Sequence, residues 1–514
     1  MLGRRFYAKP RILDNSHRAP DNGFIRTAII RKYNMAQRPN VLLILTDQQQ
    51  KGYIGPGAPG STPAMNALAS RGVWFDRAYT PNAVCSPARA SLMTGLLPHN
   101  HGVLWVTHVV DADQGLIRSE KPHWASRLVD AGYDTSYVGK WHVERDESPG
   151  RYGWNRDLSS NSPEWTAWLE GNGGLVADGS DLESSVSLSD PPGYGDGLVA
   201  GITRTAIEKR TMGRIAHAAT EQIGSLASGE SPWCLCVSFP EPHDPFISGR
   251  AAFDAVGEIA PPENADDTLA DKPALYRKLD RAWSSLGPDD RAYIRRCYAG
   301  FVYELDSRIG IVLSALEATG QAENTIVIFT TDHGELMGSH RLYYKNISAF
   351  EEIYNVPLIA AGPGIAHGAV STARVGTHGI GPTILDLVGA EPLPEVDHES
   401  FADVLRDPRQ HDATFRTGFA EYSGGRVMLT QRVYWNDDWK LVFNTFDDDE
   451  LYNLADDPYE MINLARDPLH EETLKRMMRE MWDVIGKTGD SSLYKSRYPI
   501  LRVAPAGPDY APGL

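Results

Sequence analysis

The 514-residue sequence predicts an α/β fold: a central, mostly parallel sheet between helices, then a smaller C-terminal α+β subdomain with an antiparallel sheet. Three observations carry this. Residues 41–45, 133–138, 233–239 and 325–329 are short apolar runs of the kind that form strands buried on both faces. Between the last two, residues 292–319 space Cys297, Phe301, Leu305, Ile309, Val312 and Leu316 with helical period before Gly320. From about residue 412 the texture changes to short alternating segments, the mark of antiparallel pairing.

Taken in order, the first strand ends in Thr46-Asp47-Gln48. Ser61-Thr62-Pro63 opens a helix that turns Met65, Leu68 and Ala69 inward and closes near Gly72. Cys85 stands at the start of a second helix, with Pro87 in its first turn and Gly95 as its stop. A loop with His99 and His101 follows, then a helix over 124–129. The second strand leads into Gly139-Lys140-Trp141-His142, where an extended chain points Lys140 and His142 the same way. Residues 143–230 read as a long excursion with little regular structure at first, then a helix around 204–226. In the third strand Cys234 and Cys236 share a face, and the proline-rich loop 240–246 holds His243. The fourth strand runs into Asp332-His333-Gly334-Glu335, with Lys345 in the next loop. A strand over 356–360 and a helix over 382–388 complete this part. Further on, residues 426–429 and 439–443 read as strands, 450–464 as a turn-rich link, and Leu474, Met477, Met478, Met481, Trp482 and Ile485 as one face of a terminal helix.

Composition narrows the function. The 42% hydrophobic and 23% charged content suits a soluble enzyme, and no run of 18 apolar residues predicts a membrane span. Four cysteines are too few for a disulfide framework. The net charge is −17, and the basic residues 1–34 mask a body of −23, which argues against nucleic acid or a long sulfated polymer as partner. Residues 1–34 lack the apolar core of a secretory signal, so the expected location is cytoplasmic. The expected organisation is a poorly ordered extension at 1–34, a catalytic domain at 35–400 and the C-terminal subdomain and tail at 401–514.

The candidate site collects at strand ends, where α/β proteins bind ligands. Cys85 at a helix N-terminus, with Arg89 on the same face, makes a place for a tetrahedral oxyanion. Asp47, Gln48 and Asp332 offer hard oxygens suited to Ca²⁺, Mg²⁺ or Mn²⁺, and His333 adds a nitrogen that tilts towards Mn²⁺. Each residue alone has a structural explanation as a solvated strand end or a capping cysteine. Their recurrence at four strand ends favours one shared site.

Cys85-Ser86-Pro87-Ala88-Arg89 resembles the signature of the type I sulfatases. Asp47, Gly139-Lys140-Trp141-His142, Pro242-His243, Asp332-His333-Gly334-Glu335 and Lys345 follow the family order. The resemblance implies an alkaline-phosphatase-like fold and hydrolysis of a small aryl, alkyl or sugar sulfate. It implies that a formylglycine-generating enzyme converts Cys85 to Cα-formylglycine. It also implies one divalent metal, Ca²⁺ first, with Mn²⁺ or Mg²⁺ as alternatives, held by Asp47, Gln48, residue 85, Asp332 and His333. Arg89, Lys140 and Lys345 would neutralise the sulfuryl oxygens, and formylglycine hydrate would attack sulfur with Asp332 as proton acceptor. His243, helped by Lys345, would protonate the leaving oxygen, and His142 would take the second hydroxyl proton as the aldehyde re-forms. Gln48 departs from the family members that carry a second aspartate there. Such a Gln occurs in relatives acting on choline sulfate and on phosphonate monoesters, so a phosphonate monoester hydrolase or phosphodiesterase is the alternative. A thiol hydrolase using Cys85 directly, or a silent metal-binding protein, would be a different class. Trp105, His108, the 143–230 excursion and Glu421-Tyr422 are expected to shape the pocket. Neither a nucleic-acid nor a membrane partner is expected, and a homo-oligomer stays open.

Overall fold

Apolar strands and amphipathic helices alternate as the pattern predicts, and the computed structural model places them in layers. It describes residues 38–494 and 503–508, except 56, 112–113, 119, 146–147, 190–196, 346 and 426–427. The extension at 1–34, part of the strand expected at 426–429 and most of the tail lie outside the described residues.

The chain runs through β1 (Asn40–Thr46), β2 (Gly72–Phe75), β3 (Asp134–Gly139) and β4 (Arg156–Ser159). Next come β5 (Leu182–Leu188), β6 (Gly197–Thr203), β7 (Trp233–Ser238) and β8 (Phe246–Gly249). Then follow β9 (Thr325–Thr331), β10 (Leu358–Ala361), β11 (Ala369–Ser371), β12 (Thr417–Tyr422), β13 (Gln431–Asn436), β14 (Trp439–Asn444) and β15 (Glu450–Asn453). Among the described residues these form three sheets. The largest has the order β11-β2-β10-β9-β1-β7-β3-β4 and is parallel except where β10 runs antiparallel to β2 and β9. Its centre is the run β9-β1-β7-β3, the four strands whose ends carry the candidate residues. Parallel neighbours end on the same side, so this order gathers the chemistry at one edge.

Alternating side chains build one core on each face. Val41, Leu43, Leu45, Cys234, Cys236 and Ile328 pack on one side with the helices Trp124–Asp130 and Ile380–Val388. Leu42, Ile44, Leu235, Val237 and Phe329 pack on the other with Thr211–Ala227 and the long helix Pro288–Ala318. That long helix starts four residues before the hydrophobic pattern does. Pro288 fits its first turn, where the missing N–H costs nothing.

The excursion 143–230 is more regular than expected. It contains β4, a helix Pro163–Gly171, the paired strands β5 and β6, and only then the helix Thr211–Ala227. Ser162 caps Pro163–Gly171 by accepting from the Trp165 N–H, a signal present in Ser-Pro-Glu-Trp. β5 is polar and largely exposed, so its sequence gives no hydrophobic alternation to read. Residues 450–453, expected in a link, form β15 beside β14. The sheet β12-β13-β14-β15 buries Tyr434, Leu441, Phe443 and Leu451 against Met477, Met478, Met481 and Trp482 of the helix Glu471–Thr488.

Candidate functional site

Cys85 begins the helix Cys85–Thr94, every residue of which is buried. Its Sγ lies 3.1 Å from His333 Nε2 and 3.7 Å from Asp47 Oδ1. Asp47, Cys85, Asp332 and His333 each bring one donor atom to within 4.8 Å of the others. The Nδ1–H of His333 donates to the Gly334 carbonyl at 2.9 Å, which turns Nε2 towards the cluster. Gly334 must be glycine here, because a Cβ would lie 1.9 Å from the Glu352 carbonyl oxygen.

Arg89 ties the strand ends together from beneath. Its guanidinium is fully buried and donates to Asp332 Oδ2 (2.6 Å), Ser238 Oγ (2.8 Å), the Lys140 carbonyl (3.0 Å), and Asp47 Oδ2 and the Thr46 carbonyl (both 3.4 Å). The sequence reading aimed Arg89 at sulfuryl oxygens. In this structure all five of its acceptors are protein groups at the ends of β1, β3, β7 and β9. Ser238, an acceptor in this brace, had no motif to mark it.

The remaining cations surround the cluster. Lys140 Nζ is ion-paired to Asp47 Oδ2. Lys140 and His142 follow the strand rather than extend it: β3 ends at Gly139, and His142 has φ +50°. Gly139 itself has φ +96°, and a Cβ there would strike the Ser238 carbonyl oxygen at 2.1 Å. The turn still leaves His142 beside Cys85, whose ionised form it favours. His142 Nε2 is also 3.1 Å from His108 Nδ1. Across the site Lys345 Nζ donates to Gln48 Oε1 at 2.7 Å and to His243 Nε2 at 2.5 Å, while His243 Nδ1 donates to the Asp244 carbonyl at 2.8 Å. Gln48 thus joins the site through its amide. Glu335 and Asp244, which were given no role from sequence, accept from its Nε2.

These placements shift ionisation strongly. Burial opposes charge on Cys85, yet Lys345, Lys140 and His333 hold its thiol well below the usual range. Burial and Cys85 also oppose charge on Asp47, and Lys140, His243 and Arg89 overcome both, holding its carboxyl far below normal. Asp332 moves the other way, raised by burial and by the neighbouring Asp47 carboxylate. Two carboxylates in one buried site therefore compete, the situation a cation relieves.

Beside His108 a cleft of about 400 Å³ opens, lined by Trp105, Gln114, Arg145 and Met428 among others. Trp105 and His108 both line this cleft. Glu421 does not line this cleft: it is buried against His99, 2.5 Å away.

A family model described as Sulfatase matches residues 39–390, and one described as N-sulphoglucosamine sulphohydrolase, C-terminal, matches residues 338–487. The chain is 32% identical over 465 residues to "Uncharacterized sulfatase YidJ" of Escherichia coli K12, covering 88% of each chain. It is 28% identical to the choline-sulfatase of Rhizobium meliloti, covering 87% of each. The solved phosphonate monoester hydrolase SpPMH of Silicibacter pomeroyi superposes with TM-score 0.70 at 23% identity, over 89% of this chain and 97% of that one, a likeness of fold.

Proposed function

The chain belongs to the sulfatase family of the alkaline-phosphatase-like superfamily, and from that premise we propose that it hydrolyses a small organic sulfate monoester, aryl, alkyl or sugar, at residue 85. The observation that carries this reading is the convergence on Cys85 of Asp47, Asp332 and His333 from two neighbouring strand ends, with Lys140, His142, His243 and Lys345 around them.

The donor set suits a hard divalent cation, with Ca²⁺ preferred and Mn²⁺ or Mg²⁺ as alternatives: two carboxylates, a histidine nitrogen with its other N–H engaged, the oxygen of Gln48 and residue 85. When bound, the cation supplies Lewis-acid neutralisation of sulfuryl charge. Formylglycine at position 85, made by a formylglycine-generating enzyme, would supply a hydrated aldehyde, one hydroxyl for attack and a second whose proton is given up as the aldehyde re-forms and sulfate leaves. The chain's own groups do the rest. Lys140 and Lys345 hold the sulfuryl oxygens, while Arg89 keeps Asp47 and Asp332 in register from below. Asp332 receives the proton of the attacking hydroxyl. His243 Nε2, sharing a proton with Lys345, delivers it to the leaving oxygen. His142, already within reach of residue 85, takes the second proton.

A phosphonate monoester hydrolase is the second reading, favoured by the uncharged Gln48 beside Asp47. The deciding assay co-produces the chain with a formylglycine-generating enzyme and offers an aryl sulfate, an aryl phosphonate monoester and a phosphodiester. Sulfate turnover well above the others, absent from Cys85→Ala, is the expected result. Preference for phosphorus esters, or activity surviving in Cys85→Ala, overturns the reading.

A further inference from the structure

Gln48 is the residue at which the site departs from paired aspartates, and its surroundings explain why an amide stands there. The backbone at Gln48 is left-handed, with φ +64°, and the side chain is buried. Its Nε2 donates to Glu335 Oε2 at 2.6 Å and to Asp244 Oδ1 at 3.0 Å, while its Oε1 accepts from Lys345 Nζ at 2.7 Å. An amide's two ends have the same shape, so its partners decide which way it faces. Two carboxylates on one side and an ammonium on the other permit one orientation. A carboxylate at position 48 would instead face two others.

Glu335 is itself immobilised. It is fully buried, and its Oε1 accepts the backbone N–H groups of Met337 (2.9 Å) and Tyr344 (2.7 Å). Tyr344 precedes Lys345, so the same carboxylate that orients Gln48 also anchors the loop delivering the lysine. Lys345 in turn lies 2.5 Å from His243, whose neighbour Asp244 returns to Gln48. The ends of β1, β7 and β9 are thereby closed into one hydrogen-bonded ring.

We propose that Glu335 is a positioning residue: by fixing the amide of Gln48 and the Lys345 loop together, it sets the placement of Lys345 against His243 and presents the Gln48 oxygen to the site. For its kinetic readout the inference rests on the sulfatase reading. The test is a double-mutant cycle of wild type, Glu335→Gln, Gln48→Glu and the exchanged pair, each carrying formylglycine. The measurements are kcat and KM on an aryl sulfate, calcium binding by calorimetry, and the thermal midpoint. Glu335→Gln is expected to lower kcat and calcium affinity about 10–100-fold with KM little changed. In the exchanged pair the amide at 335 can donate to the carboxylate at 48, so part of the Gln48→Glu loss should return. Wild-type kcat in Glu335→Gln, or losses that simply multiply in the exchanged pair, would overturn the proposal. If the wild-type chain turns over no sulfate ester, the functional reading fails by itself. The thermal midpoints then decide the positioning alone: coupled values support it and additive values refute it. Should Glu335→Gln not fold, Glu335→Asp keeps the charge but withdraws the oxygens, with the same loss in kcat expected and unchanged kcat refuting the role.

Discussion

The ionic cluster at the strand ends and the one beneath the C-terminal sheet are both buried, and they follow opposite plans. Beneath the sheet, charges alternate and each is answered. Arg432 lies 2.5 Å from Asp490 and 3.9 Å from Glu421, and Glu421 lies 2.5 Å from His99. At the strand ends like meets like. Asp47 raises the pKa of Asp332, and Lys345 crowds His243. Buried charge alone therefore does not mark a site in this chain, and neither does like-sign competition alone: on the other face of the sheet burial, with Glu351 and Glu352, raises the pKa of Glu460 to about 8 beside Lys440. The two clusters should accordingly fail differently when broken, the first losing chemistry and the second losing stability.

The largest separation should come from metal removal. A chelator is expected to abolish turnover and lower the thermal midpoint, because Asp47 and Asp332 then repel without a cation between them, and added Ca²⁺, Mn²⁺ or Mg²⁺ should restore both. An unchanged midpoint with full activity in chelator would show that the strand-end carboxylates are balanced without a metal. Next, His243→Gln should lower kcat on an alkyl sulfate by about 10²–10⁴-fold, and by less on an aryl sulfate whose leaving group needs less protonation, with the thermal midpoint held. Equal losses on both esters would remove His243 from the leaving-group side.

The opposite pattern is expected of Arg432→Met. Asp490 and Glu421 would stay buried without their cation, at a cost of about 3–5 kcal/mol in denaturant unfolding, while kcat per folded molecule is kept. A catalytic defect without loss of stability would erase the distinction between the clusters.

The strand-end cluster was far more legible in the sequence than the other. Asp47, Lys140, His243 and Asp332 each follow an apolar run, and a parallel sheet converts that regular placement into proximity. Helical spacing put Arg89 on the face of Cys85 but not its buried acceptors Asp47, Asp332 and Ser238, since spacing shows which face a residue shares and not how deep that face lies. Glu335 and Asp244 were silent because their role is to hold Gln48, which only the folded backbone reveals. The lower cluster joins His99 to Glu421 across more than three hundred residues, with no local pattern linking them. Among the elements, β5 and β15 escaped because pairing, rather than alternating hydrophobicity, makes them strands.

The finest test of the comparison is the pH response of His99. Its Nδ1 faces the Glu421 carboxylate and its Nε2 faces the Thr488 carbonyl, so both ring nitrogens act as donors in the imidazolium form. Burial works to lower its pKa, and Glu421 overrides this, raising it to about 9 from an ordinary 6.5. A group whose pKa rises on folding stabilises the fold fully below its unfolded value and loses that contribution as pH climbs through the folded one. The tie should therefore hold in full below about pH 6.5 and fade towards pH 9, by an amount on the order of 1–2 kcal/mol. His99→Gln should remove this part of the slope, so that wild type and variant converge in unfolding free energy as pH rises from 6.5 to 9.5. A constant gap across that range would mean that His99 contributes by packing alone, and that the lower cluster is held by Arg432 without it.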